Sequence, residues 1–224
     1  MAAAVIGDIL PLAVGIAISP IPIIAAILML LSPKARSTGV GFMAGWVLGI
    51  AVAVTAFTLL SSVLPESDPD ASKPVTAVIQ LLLGAGLLFL AVRQWRSRPE
   101  PGDEPPLPKW MGGIDAMTAG RALGLGFLLA AVNPKNLLLG AGAGIAVGSA
   151  ALDIGAVVIV LVVFTVIAAA SVAVPVIAYL VASDRMAAPL ERLRGWLVHN
   201  NATVMAVLLV VIGVVLIGKG IGSF

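Results

Sequence analysis

Cysteine is absent from the 224 residues, and there is a single histidine. The first absence excludes a disulfide scaffold, thiolate metal sites and thiol-based electron relays. The second leaves no Cys/His metal cluster and no Ser-His-Asp hydrolase. Charge is scarce as well: Asp, Glu, Lys and Arg together make up 11% of the chain, where soluble domains carry about a quarter. The net charge of +2 is too small to imply a nucleic-acid partner. No G-x-x-x-x-G-K-[ST] run is present, so nothing in the sequence asks for a nucleotide, and no other cofactor is expected.

What the chain does have is apolar residues, at 60% of the total and a mean hydropathy of +1.14. A globule of this length could not hide so many, so the surplus faces lipid. Ala, Gly and Val dominate the apolar set while aromatics are only 5%, a composition suited to closely packed membrane helices. Spanning a bilayer takes about 20 mostly apolar residues. Six segments meet that requirement, at about 7–31, 39–63, 74–94, 121–148, 154–182 and 200–219. The opening MAAAVIGDIL lacks a basic stretch and carries Asp8, so it reads as the start of the first span and not as a cleaved signal.

Orientation follows from the basic residues. Lys34 and Arg36 lie between spans one and two, Arg93, Arg96, Arg98, Lys109 and Arg121 at the connection of three and four, and Arg185, Arg192 and Arg194 between five and six. Those are ten of the thirteen Lys and Arg residues, all on one side. The other side carries Asp8, Glu66, Asp68, Asp70 and Asp153 against Lys73 and Lys219. The positive-inside rule then puts both termini outside a bacterial cytoplasmic membrane. Trp46, Trp95, Trp110 and Trp196 fall near the cytoplasmic interface, as an aromatic belt would.

The Pro-rich, mixed-charge stretch 96–120 reads as a cytoplasmic linker between a first three-helix repeat, 1–95, and a second, 121–224. Three spans is an odd number, so the halves are inverted relative to one another. The expected fold is an all-α membrane protein of six transmembrane helices in two inverted three-helix repeats. Span one is interrupted by Ser19-Pro20-Ile21-Pro22 and span four by Asn133-Pro134-Lys135-Asn136, each after twelve residues of its span. Paired interruptions of that kind point to a substrate site near mid-membrane. Proline disfavours helix at the residue before it, while Ser and Asn are good N-caps and Pro a good first residue. Each break therefore reads as the start of a half-helix whose free N–H groups and positive dipole end can hold an anion.

Lys135 is the one charge deep within a span, roughly 15–18 Å from an interface. No acidic residue in the spans can pair with it, so an anionic ligand group or loss of its proton would relieve its burial. Ser19, Pro20, Pro22, Asn133, Pro134, Lys135 and Asn136 are the candidate substrate-binding residues. The alternative role for Lys135 is to bond backbone carbonyls freed by a break. Gly41, Gly45 and Gly49 in span two and Gly140, Gly144 and Gly148 in span four form ladders for close helix packing, within the chain or across a homodimer. Thr55, Thr58, Thr165, Ser171 and Gln80 are expected to bond between helices. The segment 189–198 suits an interfacial amphipathic helix anchored by Trp196.

These motifs resemble a known group. Pro-x-Pro in span one with Asn-Pro-Lys in span four is similar to the LysE-type exporter superfamily, although amino-acid exporters of that group usually carry Pro-Gly-Pro where this chain has Pro20-Ile21-Pro22. The runs GIAISPIPIIAAILMLLSPKA, GFMAGWVLG and NPKNLLLGAGAGIAVG resemble its GAP or Sap-like branch, the glycopeptidolipid- and sulfolipid-addressing proteins of actinobacteria. That resemblance implies a cytoplasmic-membrane protein, not an enzyme, that assists export of envelope lipids. Its partners would be membrane lipid and lipid-export machinery. Three functions follow as expectations: an exporter of an amphipathic, anionic-headed lipid or precursor, an accessory scaffold that moves nothing itself, and an exporter of a small solute such as an amino acid.

Overall fold

Proline lacks the N–H that would continue a helix and clashes with the preceding turn, so apolar runs containing it stop and restart. The computed structural model, which describes residues 2–61, 74–98 and 109–223, bears this out at both interruptions. Helix α1 (Ala2–Ala17) gives way to α2 (Pro20–Leu30) through a bend of 52°, and α5 (Ala119–Ala131) to α6 (Pro134–Gly148) through 63°. Between them come α3 (Ala35–Ser61), α4 (Pro74–Arg96) and a 3-10 turn over Lys109–Ala116; α7 (Ile154–Ile221) closes the chain. No strand occurs among the described residues.

Three of these helices are long and apolar enough to cross a membrane, and five spans result if each bent pair counts as one. The outer surface agrees with a lipid environment: Phe89 is 68% exposed, Leu82 67% and Val166 64%. This is an all-helical membrane protein. The acidic run Glu66, Asp68, Asp70 with Lys73, and the central part of the linker, lie outside the described residues.

Helix α7 departs from expectation. The stretch 183–199, expected as a connection holding a separate interfacial helix at 189–198, is helical throughout and joins that helix to the spans on either side, with one non-helical residue, Ala182 (φ −144°, ψ 55°). Its sequence explains this, because DRMAAPLERLRGWL is rich in helix formers, and Leu190 and Leu197 are buried while Arg192 and Trp196 stay exposed. At 1.5 Å per residue the 68 residues would extend about 100 Å if straight, so Ala182 divides α7 into two arms.

Close contacts give the helix directions. Along α3, Gly41, Gly45 and Gly49 meet Ala119, Leu123 and Phe127 of α5 in the same order, and Phe57 and Ser61 then meet Gly144 and Gly148 of α6. Helix α3 thus runs parallel to the whole broken α5–α6 pair. Gly84 of α4 packs on Gly213 and Ile217, and Leu81 on Gly220, so α4 is antiparallel to the second arm of α7. Gly15 against Ile212, with Asp8 against Lys219, makes α1 antiparallel to that arm too. Trp46 corrects its expected place: it is wholly buried against these seams, and its side chain belongs to the core instead of an aromatic belt. Trp95 and Trp196, 48% and 55% exposed, suit an interface.

Candidate functional site

Two prolines two residues apart release two carbonyls. Pro20 cannot donate to the Ile16 carbonyl, and Pro22 cannot donate to that of Ile18. The Ser19 amide turns to Ala17 O (2.8 Å), which also leaves the Gly15 carbonyl without its helical donor. In the low-dielectric centre of a membrane each such group needs a partner. The Ser19 hydroxyl donates to Ile16 O at 2.6 Å. Lys135 Nζ, from the other broken helix, donates to Gly15 O at 2.8 Å, to Ile18 O at 3.4 Å and to Ser19 Oγ. The ammonium thus caps the C-terminal, negative end of α1, where a cation is favoured. Lys135 is only 3% exposed.

The second break repeats the scheme with different atoms. Asn133 is the N-cap of α6, its Oδ1 accepting from the Lys135 amide at 3.0 Å, with Pro134 as first helical residue. Asn136 Nδ2 donates to Leu129 O at 3.1 Å. Leu129 precedes Asn133 by four residues, as Gly15 precedes Ser19. Consecutive side chains of α6, Lys135 and Asn136, therefore cap the equivalent carbonyls of the two breaks. Ser19 differs from its expected role: α2 does begin at Pro20, yet the Ser19 side chain makes no cap bond, because its hydroxyl is held by Ile16 and Lys135.

Ser19, Pro20, Pro22, Asn133, Pro134 and Lys135 line one cavity of about 370 Å³. Asn136 is buried beside it and is not part of its wall. Residues the motif reading missed complete the lining: Arg93 and Gln94 from α4, Ser97 just after its end, and Asn201 and Met205 from α7. Their spacings of three and four on polar stretches of otherwise apolar helices were the available signal. Among the described residues, Lys135 and Arg93 are the charged ones of this wall, and none of its lining is acidic. A second cavity, of about 420 Å³, lies toward the chain termini and is lined by Asp8, Gln80, Ser149 and Lys219 among others. Between the two, Leu139 and Ile212 close on Gly15, where a Cβ would come within 2.9 Å of Leu139 Cδ1.

A family model described as Sap, sulfolipid-1-addressing protein, matches residues 9–222. The chain belongs to that family. Comparisons with curated proteins and with solved structures give no match. The sulfolipid-1-addressing family is an addressing family and not a known enzyme family, and its description points to a lipid-related role at a membrane.

In this sulfolipid-1-addressing family member both glycine ladders are filled within the chain, the first by α5 and the second by the C-terminal part of α3. A Cβ at Gly41 or Gly45 would run into the carbonyl oxygen of Ala119 or Leu123, and one at Gly49 would lie 2.6 Å from Ala130 Cβ. Gly144 and Gly148 abut Phe57, Thr58 and Ser61, and Ser61 Oγ donates to Gly144 O at 3.0 Å. Gly140 is looser, with Phe57 at 3.9 Å. Thr58 and Thr165 correct their expected interhelical role: their hydroxyls bond back to Val54 O and Leu161 O of their own helices. Gln80 accepts from the Ser223 hydroxyl at 3.4 Å, linking α4 to the end of the chain.

Proposed function

We propose that the chain is a secondary transporter that exports an amphipathic, anionic-headed envelope lipid or lipid precursor by alternating access. The single observation that supports this most is the cavity between the broken helices, in which six of the seven motif residues meet and the charged residues of the described lining are both basic. A sulfolipid has an anionic headgroup of the sort such a cavity suits, and the family description names one. The facing cavities, separated by Leu139 and Ile212 at Gly15, suit an occluding layer that opens to one side at a time.

In this reading α1–α2 and α5–α6 each make one span and the two arms of α7 make two, a total of six. The halves 1–95 and 121–224 are inverted repeats joined by the linker 96–120, in the manner of the LysE-type superfamily and its GAP and Sap-like branch. The protein sits in the bacterial cytoplasmic membrane with both termini outside. Lys135 exchanges its α1 carbonyls for the cargo anion. Docking to a second copy or to lipid-export machinery would use surfaces other than the filled ladders.

One observation favours a second reading. All three ammonium protons of Lys135 have partners within the protein, as a purely structural lysine would have. The chain would then be an accessory scaffold. The test compares extracellular and cell-associated lipids by mass spectrometry in cells lacking the protein, complemented with wild type or Lys135→Ala at matched membrane abundance. Export restored by wild type alone supports transport through the cavity. Equal restoration by both overturns the role of Lys135 and favours the scaffold. No lipid change in the deletion overturns the lipid cargo, and small-solute efflux becomes the assay.

A further inference from the structure

The wall between the site and the lipid is formed by α4 and the second arm of α7, and both of its faces are hollowed. On the inner face Arg93, Gln94, Asn201 and Met205 line the polar cavity. On the outer face the same helix segments form a groove of about 370 Å³, lined by Val92 and Trp95 of α4 with Val207, Val210 and Val211 of α7. The two sets alternate along each helix: 93 and 94 inward with 92 and 95 outward, then 201 and 205 inward with 207 and 211 outward. The groove is apolar and open to lipid, Val207 and Val211 being 55% and 56% exposed. Arg96 is the charged residue of its rim.

The seam between these helices is not uniform. Near the chain termini it is sealed by close backbone approach: a Cβ at Gly84 would lie 2.8 Å from Gly213 O, one at Gly213 3.1 Å from Gly84 O, and one at Gly220 3.0 Å from Ala77 O. Toward Arg93 neither helix carries a glycine at the seam, and there the two hollows lie back to back, with Ala91 and Ala206 buried on the floor of the outer one.

We infer that the cargo straddles this seam, its anionic headgroup in the cavity between Arg93 and Lys135 and its acyl chain in the outer groove against Trp95 and Val207. The inference deepens the export reading and rests on it: it assigns the route of that anionic amphiphile, sideways from the lipid leaflet at the seam of α4 and α7, and Arg93 as the residue that receives its charge. Complementarity argues for this occupant. A basic, partly polar hollow suits a sulfate or phosphate group, which charge-assisted bonds hold strongly, while an apolar hollow open to the bilayer leaves an acyl chain in surroundings like those it came from.

The experiment uses the full chain in phosphatidylcholine nanodiscs and, as probe, a long-chain alkyl sulfate with a diazirine at the end of its chain. After photolysis, adducts are mapped by mass spectrometry. Labelling is expected in the peptides holding Val92, Trp95, Val207 and Val211. Unlabelled alkyl sulfate should compete about tenfold better than the alcohol of equal chain length, and Arg93→Gln should remove most of that preference. Val207→Trp, a change on the lipid-facing surface, should fill the groove and abolish the adducts while the thermal midpoint holds. Equal competition by the alcohol at the groove means it takes ordinary acyl chains and overturns the proposal. Adducts confined to Met205 and Leu209, with the sulfate preference kept, place the chain inside the cavity; they overturn the seam and leave the export reading standing. Loss of sulfate preference inside and outside alike overturns the anionic cargo, and the proposal with it.

Discussion

At the scale of the residue, the Pro20-Ile21-Pro22 motif and Lys135 answer one another. The prolines free carbonyls that a membrane cannot hydrate, and the lysine brings the donors they need, so neither is economical alone. Replacing Lys135 by Met keeps the stem and removes the donors. The variant is expected to stay in the membrane, lose about 1–3 kcal/mol of stability in a denaturation series because buried carbonyls are left unpaired, and fail to restore lipid export. Ser19→Ala leaves Ile16 O without its hydroxyl donor and should cost a similar amount, measured the same way. Full export by Lys135→Met at normal abundance would show that the ammonium is structural filler.

At the scale of the element, the decisive surface is the parallel seam of α3 against α5 and α6. Gly45 has the Leu123 carbonyl where a Cβ would stand, whereas Gly124, one residue on, has nothing within 4 Å. Gly45→Val should therefore force the helices apart and destabilise by about 1–3 kcal/mol. Gly124→Ala should be neutral or stabilising by up to about 1 kcal/mol, since it improves helix propensity without a clash. Thermal unfolding of both variants in one detergent decides this, and equal midpoints would refute the seam. Its length also has a consequence: an unbroken α3 splints both halves of a broken span, so the bend at Asn133 is held from outside as well as by its own cap.

At the scale of the whole molecule, the first and last helices are tied by Lys219 to Asp8, at 2.6 Å. The pair is substantially exposed, so removing it should cost no more than about 1 kcal/mol. Its value is topological, because it brings the beginning and end of the described chain to one side. With no native cysteine, a single introduced thiol reports sidedness without background. Ser223→Cys is expected to react with an impermeant maleimide on intact cells, and Ser37→Cys only after permeabilisation. The reverse pattern would invert the proposed orientation, and labelling of both on intact cells would break the six-span reading.

Much of this was legible along the chain. Composition alone demands lipid contact, and proline chemistry is local enough that the starts of α2 and α6 at Pro20 and Pro134 are readable from the residues. The start of a family resemblance also lies in short motifs, since these carry backbone breaks that few sequences repeat at matched positions. What remained hidden depends on contacts between residues distant in sequence. No local rule says that Lys135 reaches back to Gly15, 120 positions away, or that one glycine ladder closes on the helix carrying the other. Trp46 looked interfacial by position, and only the packing of the helices, with α5 pressed on its backbone at Gly126, leaves it wholly buried. Likewise the helical continuity of α7 through 183–199 arises because burial of Leu190 and Leu197 adds to a propensity that polarity had masked. The sequence by itself determined where the chain meets lipid and where its helices break, because hydropathy and proline act over a few residues. The tertiary structure alone decided which freed carbonyls meet which donors, and which hollows those breaks enclose, because partners for buried polar groups are chosen by packing across the fold.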